Sequence, residues 1–258
     1  MLPSYTVQVF RMARADVPRP EVFWMNGWGE WEILYFYMVL IRGGDVTALI
    51  NTGPPQDLDI LNGPWHEFAG PRCELVRESS ETPVETLKRV GLAPADITHV
   101  LLTPLQLYAT ANIALFPNAQ ICMSRRGWIE DILARLPWLH VPRQYCISDA
   151  TLKYLLFEAN DRLRLLEDED EICPGIRASW VGTHHRSSML YSISTAKGAV
   201  GVSDCAFKYG NVEGHPLGIG ESLEEGYRTY RRIRKEIQHF IPLYDPEVLT
   251  KYPDGVVA

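Results

Sequence analysis

From Ile33 to Ile41 the chain reads ILYFYMVLI, apolar on successive residues instead of alternate ones. β-Branched and aromatic residues dominate the run, so it predicts a strand buried on both faces. Arg42-Gly43-Gly44-Asp45 follows, and then VTALI at Val46–Ile50. Two apolar runs around a Gly-Gly turn predict a hairpin. A sheet buried on both faces needs a covering layer on each side.

Further along, Thr82-Pro83-Val84-Glu85 predicts a helix start, with Thr as N-cap, Pro at the first position and Glu at the third. Val84, Leu87 and Val90 supply its expected apolar face, and Gly91 ends it. DITHVLLT (Asp96–Thr103) predicts a short buried strand, Gln120–Met123 another, and 126–136 a helix. Ile176–Val181, Met189–Ser194 and Ala199–Val202 predict strands, with Lys197-Gly198 as a turn. Ser222–His239 predicts a long surface helix and Phe240–Pro242 a last short strand. Neither a fixed-period repeat nor a low-complexity linker is visible. The pattern predicts one layered α/β domain over 1–258, with 1–32 as an N-terminal extension packing on it. The acidic run Glu167–Glu171 is expected to be a solvated loop. Arg231, Arg232, Arg234 and Lys235 follow Glu224 and Glu225 on a helix, where pairing four residues apart is their expected role.

The 258 residues suffice for a core that buries about 70–75% of the unfolded surface. A hydrophobic share of 46% with 22% charged residues excludes a disordered or fibrous chain. A net charge of −7 argues against a general nucleic-acid binder, which needs clustered Lys and Arg. The five cysteines form no CxxC pair, so neither a zinc ribbon nor a thioredoxin-like motif is present. Their odd number and wide spacing suit reduced thiols in a cytoplasmic protein. The first residues carry no apolar signal region. The longest apolar run is half of what a membrane span needs, so no membrane partner is expected.

Three segments together carry a resemblance. They are LINTGPP at Leu49–Pro55, GLAPADITHVLLTPLQLYATANIALFPNAQI at Gly91–Ile121, and VGTHHRSSMLYSISTAKGAVGVSDCAFKYGNVE at Val181–Glu213 followed by IPLYDPEVLTKYP at Ile241–Pro253. In order and spacing they resemble the metallo-β-lactamase fold superfamily, and most of all its N-acyl homoserine lactone lactonase branch. The resemblance spans about residues 33–253 and implies a four-layer αββα sandwich. It also implies a pair of metal ions at the strand ends between two stacked sheets, held by histidines and bridged by an aspartate. The family's first two histidines fall on Pro104 and Gln106, and its Asp-His pair on Tyr108 and Ala109. The later histidine falls on His184, the bridging aspartate on Asp204 and the final histidine on Tyr244; the aspartate of the Asp-Thr-Gly segment is Asn51.

Only His184 and Asp204 keep good ligand chemistry. Proline and alanine offer no donor, a glutamine amide is a weak zinc ligand, and a phenol ligates well only when deprotonated, from a reference value of about 10. The expectation is therefore no cofactor and no binuclear zinc centre; any single metal would rest on His184 and Asp204. Adjacent strand residues point opposite ways, so one of His184 and His185 should face the cavity, and one of Asp204 and Cys205. Cys205 is expected to be a small buried hydrophobe. His66, His99, His140, His215 and His239 have no partner at ligand spacing and read as structural or exposed.

The altered cavity would be lined by Gln106, Tyr108, His184, Asp204 and Tyr244. His184 with Asp204 has the form of an oriented base, and the tyrosines can donate protons or bind an oxyanion. That set suits proton abstraction beside a carbonyl, isomerisation, lyase chemistry, or ester or lactone hydrolysis of a small carbonyl-containing metabolite. No Gly-x-Ser-x-Gly elbow supplies a nucleophile. A second reading is a non-catalytic relative, a ligand-binding or subunit protein whose lost ligands are filled by apolar volume. A third is a hydrolase with a rearranged metal site of His184, His185, Asp204 and Cys205. The aromatics Phe23, Trp24, Trp28, Trp31, Tyr35, Phe36 and Tyr37 read first as core, and otherwise as a pocket cover or the contact of a homodimer.

Overall fold

The computed structural model describes residues 3–134 and 142–258. One mixed sheet has the order β4-β1-β2-β3-β5-β6-β7. Its strands are β1 (Thr6–Pro18), β2 (Trp31–Gly43), β3 (Val46–Ile50), β4 (Leu75–Val76), β5 (His99–Leu101), β6 (Gln120–Ser124) and β7 (Leu163–Leu166). The second sheet has the order β12-β11-β10-β9-β8. It is built from β8 (Glu169–Cys173), β9 (Ile176–Trp180), β10 (Met189–Thr195), β11 (Gly198–Ser203) and β12 (His239–Pro242). The helices are α1 (Arg19–Val22), α2 (Asp59–Ala69), α3 (Pro83–Arg89), α4 (Leu107–Thr110), α5 (Arg125–Gly127), α6 (Asp149–Phe157), α7 (Tyr209–Glu213), α8 (Leu223–Glu236) and α9 (Glu247–Lys251). Among the described residues no helix is long and apolar enough to cross a membrane.

The successive apolar residues of the hairpin do what their pattern predicts. Val39, Ile41, Ala48 and Ile50 face the core between the sheets, while Met38, Leu40 and Leu49 face the opposite way. That outer face is covered by Leu87 of α3, Leu155 of α6, and Trp128 and Ile132. The second sheet's outer face is covered by Tyr230 and Ile233 of α8 and Val212 of α7. Three apolar interfaces thus separate four layers, α/β/β/α.

The segment read as an extension proves integral to the first sheet. β1 pairs with β2 antiparallel along its whole length, and the register slips between Arg11 and Ala13. The extra residue, Met12, lets two neighbours on β2, Tyr37 and Phe36, both pack in the inter-sheet core. Apolar residues of β1 alternate with Gln8, Arg11, Arg14 and Asp16, the period-two pattern of a strand with one face in the core.

Other elements depart from the pattern in detail. On α3 the buried residues are Pro83, Thr86 and Leu87, while Val84 is exposed, because the face toward the sheet follows i, i+3 and i+4 from Pro83. The helix expected from 126 to 136 is a single turn, α5, followed by a π-helical segment, Trp128–Leu133; Leu136 and His140 lie outside the described residues. The acidic run is a loop only in part, since β8 begins at Glu169. Its like charges are tolerated because arginines meet them: Arg125 with Glu167 at 2.7 Å, Arg164 with Asp170 at 2.7 Å and Arg232 with Glu169 at 2.6 Å. The long C-terminal helix stops at Glu236, where Ile237 turns extended and Gln238 N–H bonds Ala199 O at 3.1 Å to start β12. On that helix Arg228 pairs with Glu224 and Arg232 with Glu236, both four residues apart.

The Thr82 cap forms as the sequence predicts, its hydroxyl accepting from Glu85 N–H at 3.3 Å. Thr82→Ala should therefore lower stability by about 1 kcal/mol in urea unfolding, with the slope unchanged.

Candidate active site

Strands β3, β5 and β6 run parallel in one sheet and β11 and β12 in the other, so their C-terminal ends gather at one rim. From that rim come Asn51 after β3, Thr103 after β5, His184 after β9, Asp204 after β11 and Tyr244 after β12. Asn51 has left-handed backbone (φ 63°), which asparagine tolerates. Its amide accepts Thr103 N–H at 2.9 Å and donates to Thr103 O at 2.7 Å, locking the two loops together.

Asp204 has no exposed surface. Its Oδ1 accepts from the Thr103 hydroxyl, and its Oδ2 accepts from Ser188 Oγ at 2.5 Å and lies 3.0 Å from His184 Nδ1. An Nδ1–H donated to the carboxylate fixes the tautomer and leaves Nε2 as a lone pair. Burial, helped by the adjacent His185, pushes His184 down to about 4 against the pull of Asp204, so the ring is neutral at pH 7. Asp204 itself does not line the cavity; it stands behind His184 because its oxygens are turned to the protein donors.

His185 also lines the cavity, contrary to the one-of-two expectation. Residues 182–185 are a turn and not a strand end: Gly182 (φ 55°) and Thr183 (φ 72°) are both left-handed. A side chain at Gly182 would strike Glu225 Oε2 at 2.3 Å. The two imidazoles lie 4.0 Å apart, tilted by 40°. Burial lowers His185, but Glu221 at 3.7 Å and buried Asp131 more than offset it, and its value is raised. Arg186 holds the loop from the other side through Glu221 (2.6 Å) and Glu225 (2.7 Å). Sequence reasoning missed Asp131 and Glu221, because their partners are far away along the chain.

Tyr244 donates its hydroxyl to Tyr108 at 3.4 Å, and burial raises both phenols, so both stay protonated. Gln106 is buried and donates to Cys146 Sγ at 3.6 Å. Phe36, brought inward by the β-bulge, stacks edge-on against Tyr108 (5.1 Å) and Tyr244 (5.3 Å), and Phe207 against His184 (4.7 Å). With Trp65 these rings wall a cavity of about 640 Å³. Cys205 is fully buried against the α8 layer and its thiol is pushed up by burial, as expected for a small hydrophobe. Of the N-terminal aromatics, Phe36 lines the cavity, Tyr37 is core, and Trp24 and Trp28 are exposed.

A further wall residue has no sequence signal: Glu21, on α1, beside Val17, Leu34 and Cys73. Among the described residues no hydrogen bond or ion pair engages its carboxyl, and burial alone raises it to about 7.

No family model and no curated protein matches the sequence. Solved structures do match. An N-acyl homoserine lactone hydrolase, with its product N-hexanoyl-L-homoserine at the catalytic metal centre, superposes with a TM-score of 0.79 at 18% identity, covering 97% of each chain. The B. thuringiensis protein AiiA, a variant with N-decanoyl-L-homoserine bound at its active site, gives 0.78 at 18%, again over 97% of each chain. A metallo-β-lactamase-like protein of Thermotoga maritima gives 0.52 at 16%, covering 91% of this chain and 97% of that one. The fold is therefore the metallo-β-lactamase fold.

The metal pair that this fold implies does not fit the donors present. Three of Asp204's neighbours, Thr103, Ser188 and His184, already occupy its carboxylate, and Gln106 turns its amide N–H to Cys146. Among the described residues no group of three His, Cys, Asp or Glu side chains is placed to hold an ion.

Two outcomes follow for stability. Asn51→Asp cannot donate to Thr103 O and sets two acceptors together, so urea unfolding should show a loss of about 2 kcal/mol. The Glu21 carboxyl is held at about 7 against 4.5 for the ordinary group, so the folded state keeps a proton that the unfolded chain has lost. Stability should fall as pH rises between these values; Glu21→Gln should match the wild type in acid and exceed it by on the order of 2 kcal/mol above neutrality.

Proposed function

We propose that this chain is a metallo-β-lactamase-fold enzyme acting on a small carbonyl-containing metabolite, lactone-like or ester-like, with acid/base side chains in place of a zinc pair. The observation that carries this reading is the buried neutral His184, its Nδ1 held 3.0 Å from Asp204. In hydrolysis, His184 Nε2 takes a proton from water as the water oxygen bonds to the carbonyl carbon. The phenol of Tyr108, itself receiving a hydrogen bond from Tyr244, and a ring N–H of His185 donate to the oxyanion. Collapse breaks the carbonyl carbon–alkoxide bond, and the alkoxide takes the proton from His184, giving a hydroxy acid from a lactone. Cys73, Cys122, Cys173 and Cys205, none of which forms a disulfide among the described residues, support a reducing, cytoplasmic setting. The exposed Trp24 and Trp28 support a homodimer contact.

The second reading, a ligand-binding or subunit protein without turnover, is favoured by one observation: Asp204 is satisfied entirely by its neighbours. A panel of γ- and δ-lactones and aryl esters separates the two. The enzyme reading expects turnover that persists in chelator, falls by about 100-fold or more in His184→Ala, and falls by about 10-fold or more in Tyr108→Phe. Turnover that requires added zinc, or that survives His184→Ala, would overturn it, and an inert protein that still binds ligand would establish the second.

A further inference from the structure

The cavity holds more than the histidine cluster. Glu21 sits in its wall among Val17, Leu34 and Cys73, and Glu67 lines the same space beside exposed Phe68. Neither carboxyl meets a basic partner among the described residues, in contrast to Glu32, which pairs with both Arg19 and Lys208. The lining also contains Phe36, Trp65, Tyr108 and Tyr244, with ring centroids 5.1 to 6.4 Å from their neighbours. Among the described lining residues the basic side chains are His184, which is neutral, and His185, which faces Glu221 at 3.7 Å.

A carboxylate taken partly out of water without a partner is a standing cost, and a ligand that brings a cationic donor removes it. Aromatic faces attract the same kind of ligand, because the ring quadrupole favours a cation within about 6 Å. An anionic ligand would meet two carboxylates here, and a purely apolar one would leave Glu21 unmatched.

We infer that the cavity selects an amphipathic organic cation, with an ammonium group at Glu21 and its apolar body against Phe36 and Trp65. This rests on the proposed use of the same cavity for a carbonyl substrate and adds its charge class: an amine-bearing lactone or ester.

Three isosteric probes test it by calorimetric titration: phenylbutylamine, phenylbutanol and phenylbutanoate, at a pH above the Glu21 carboxyl's value of about 7. The amine should bind about 10-fold more tightly than the alcohol, and the acid most weakly. Glu21→Gln should erase the amine's advantage and leave the alcohol's affinity unchanged. His184→Ala should keep the ranking, so that loss of hydrolysis and loss of charge selection are read separately. Equal affinities, preference for the acid, no binding by any probe below about 10 mM, or a Glu21→Gln variant that weakens all three alike would each overturn the proposal.

Discussion

A carboxylate with no contact to solvent must have its lone pairs met by donors, and at Asp204 those donors come from two separate parts of the chain, the segment after β5 and the connection between β9 and β10. Thr103 follows β5, Ser188 precedes β10, and His184 sits in the turn between β9 and β10. The first belongs to one sheet and the others to the second, so one side chain ties the two sheets together at the rim where the cavity opens. Removing a partner of a buried charge costs several times what a surface ion pair contributes. That demand sets the position of His184, its tautomer and the face it turns to the cavity.

Around this centre two adjacent imidazoles have opposite surroundings. His184 is neutral because it is deeply buried, and His185, one residue on, is raised because Glu221 and Asp131 face it. Their loop is anchored by Arg186 to Glu225 of α8 and to Glu221 just before that helix, and Thr183 O accepts Glu221 N–H at 2.6 Å. The helix covering the outer sheet therefore also shapes the site.

The fold is shared with structures whose sequences differ from this one at most positions. Layer packing accounts for that likeness, because three apolar interfaces tolerate many side-chain sets of similar volume. The rim is less tolerant. Proline, glutamine, tyrosine and alanine in one loop remove donors that a cation needs, and Tyr108, Tyr244 and Phe36 fill the space with rings in edge-on contact.

By itself the sequence determined the hairpin of β2 and β3, the Thr82 cap, the strands β9 to β12 and the identity of the residues at the rim. Each of these is set by neighbours in the chain: apolar runs, turn glycines, a cap three residues from its partner. What only the tertiary structure decided depends on groups distant along the chain. The β-bulge at Met12 that brings Phe36 inward, the paired left-handed residues that turn both His184 and His185 to the cavity, and the withdrawal of Asp204 behind His184 all follow from packing between sheets. Glu21 and Asp131 carried no local signal, because a carboxylate acquires its chemistry from its surroundings, and those exist only once the sheets have met.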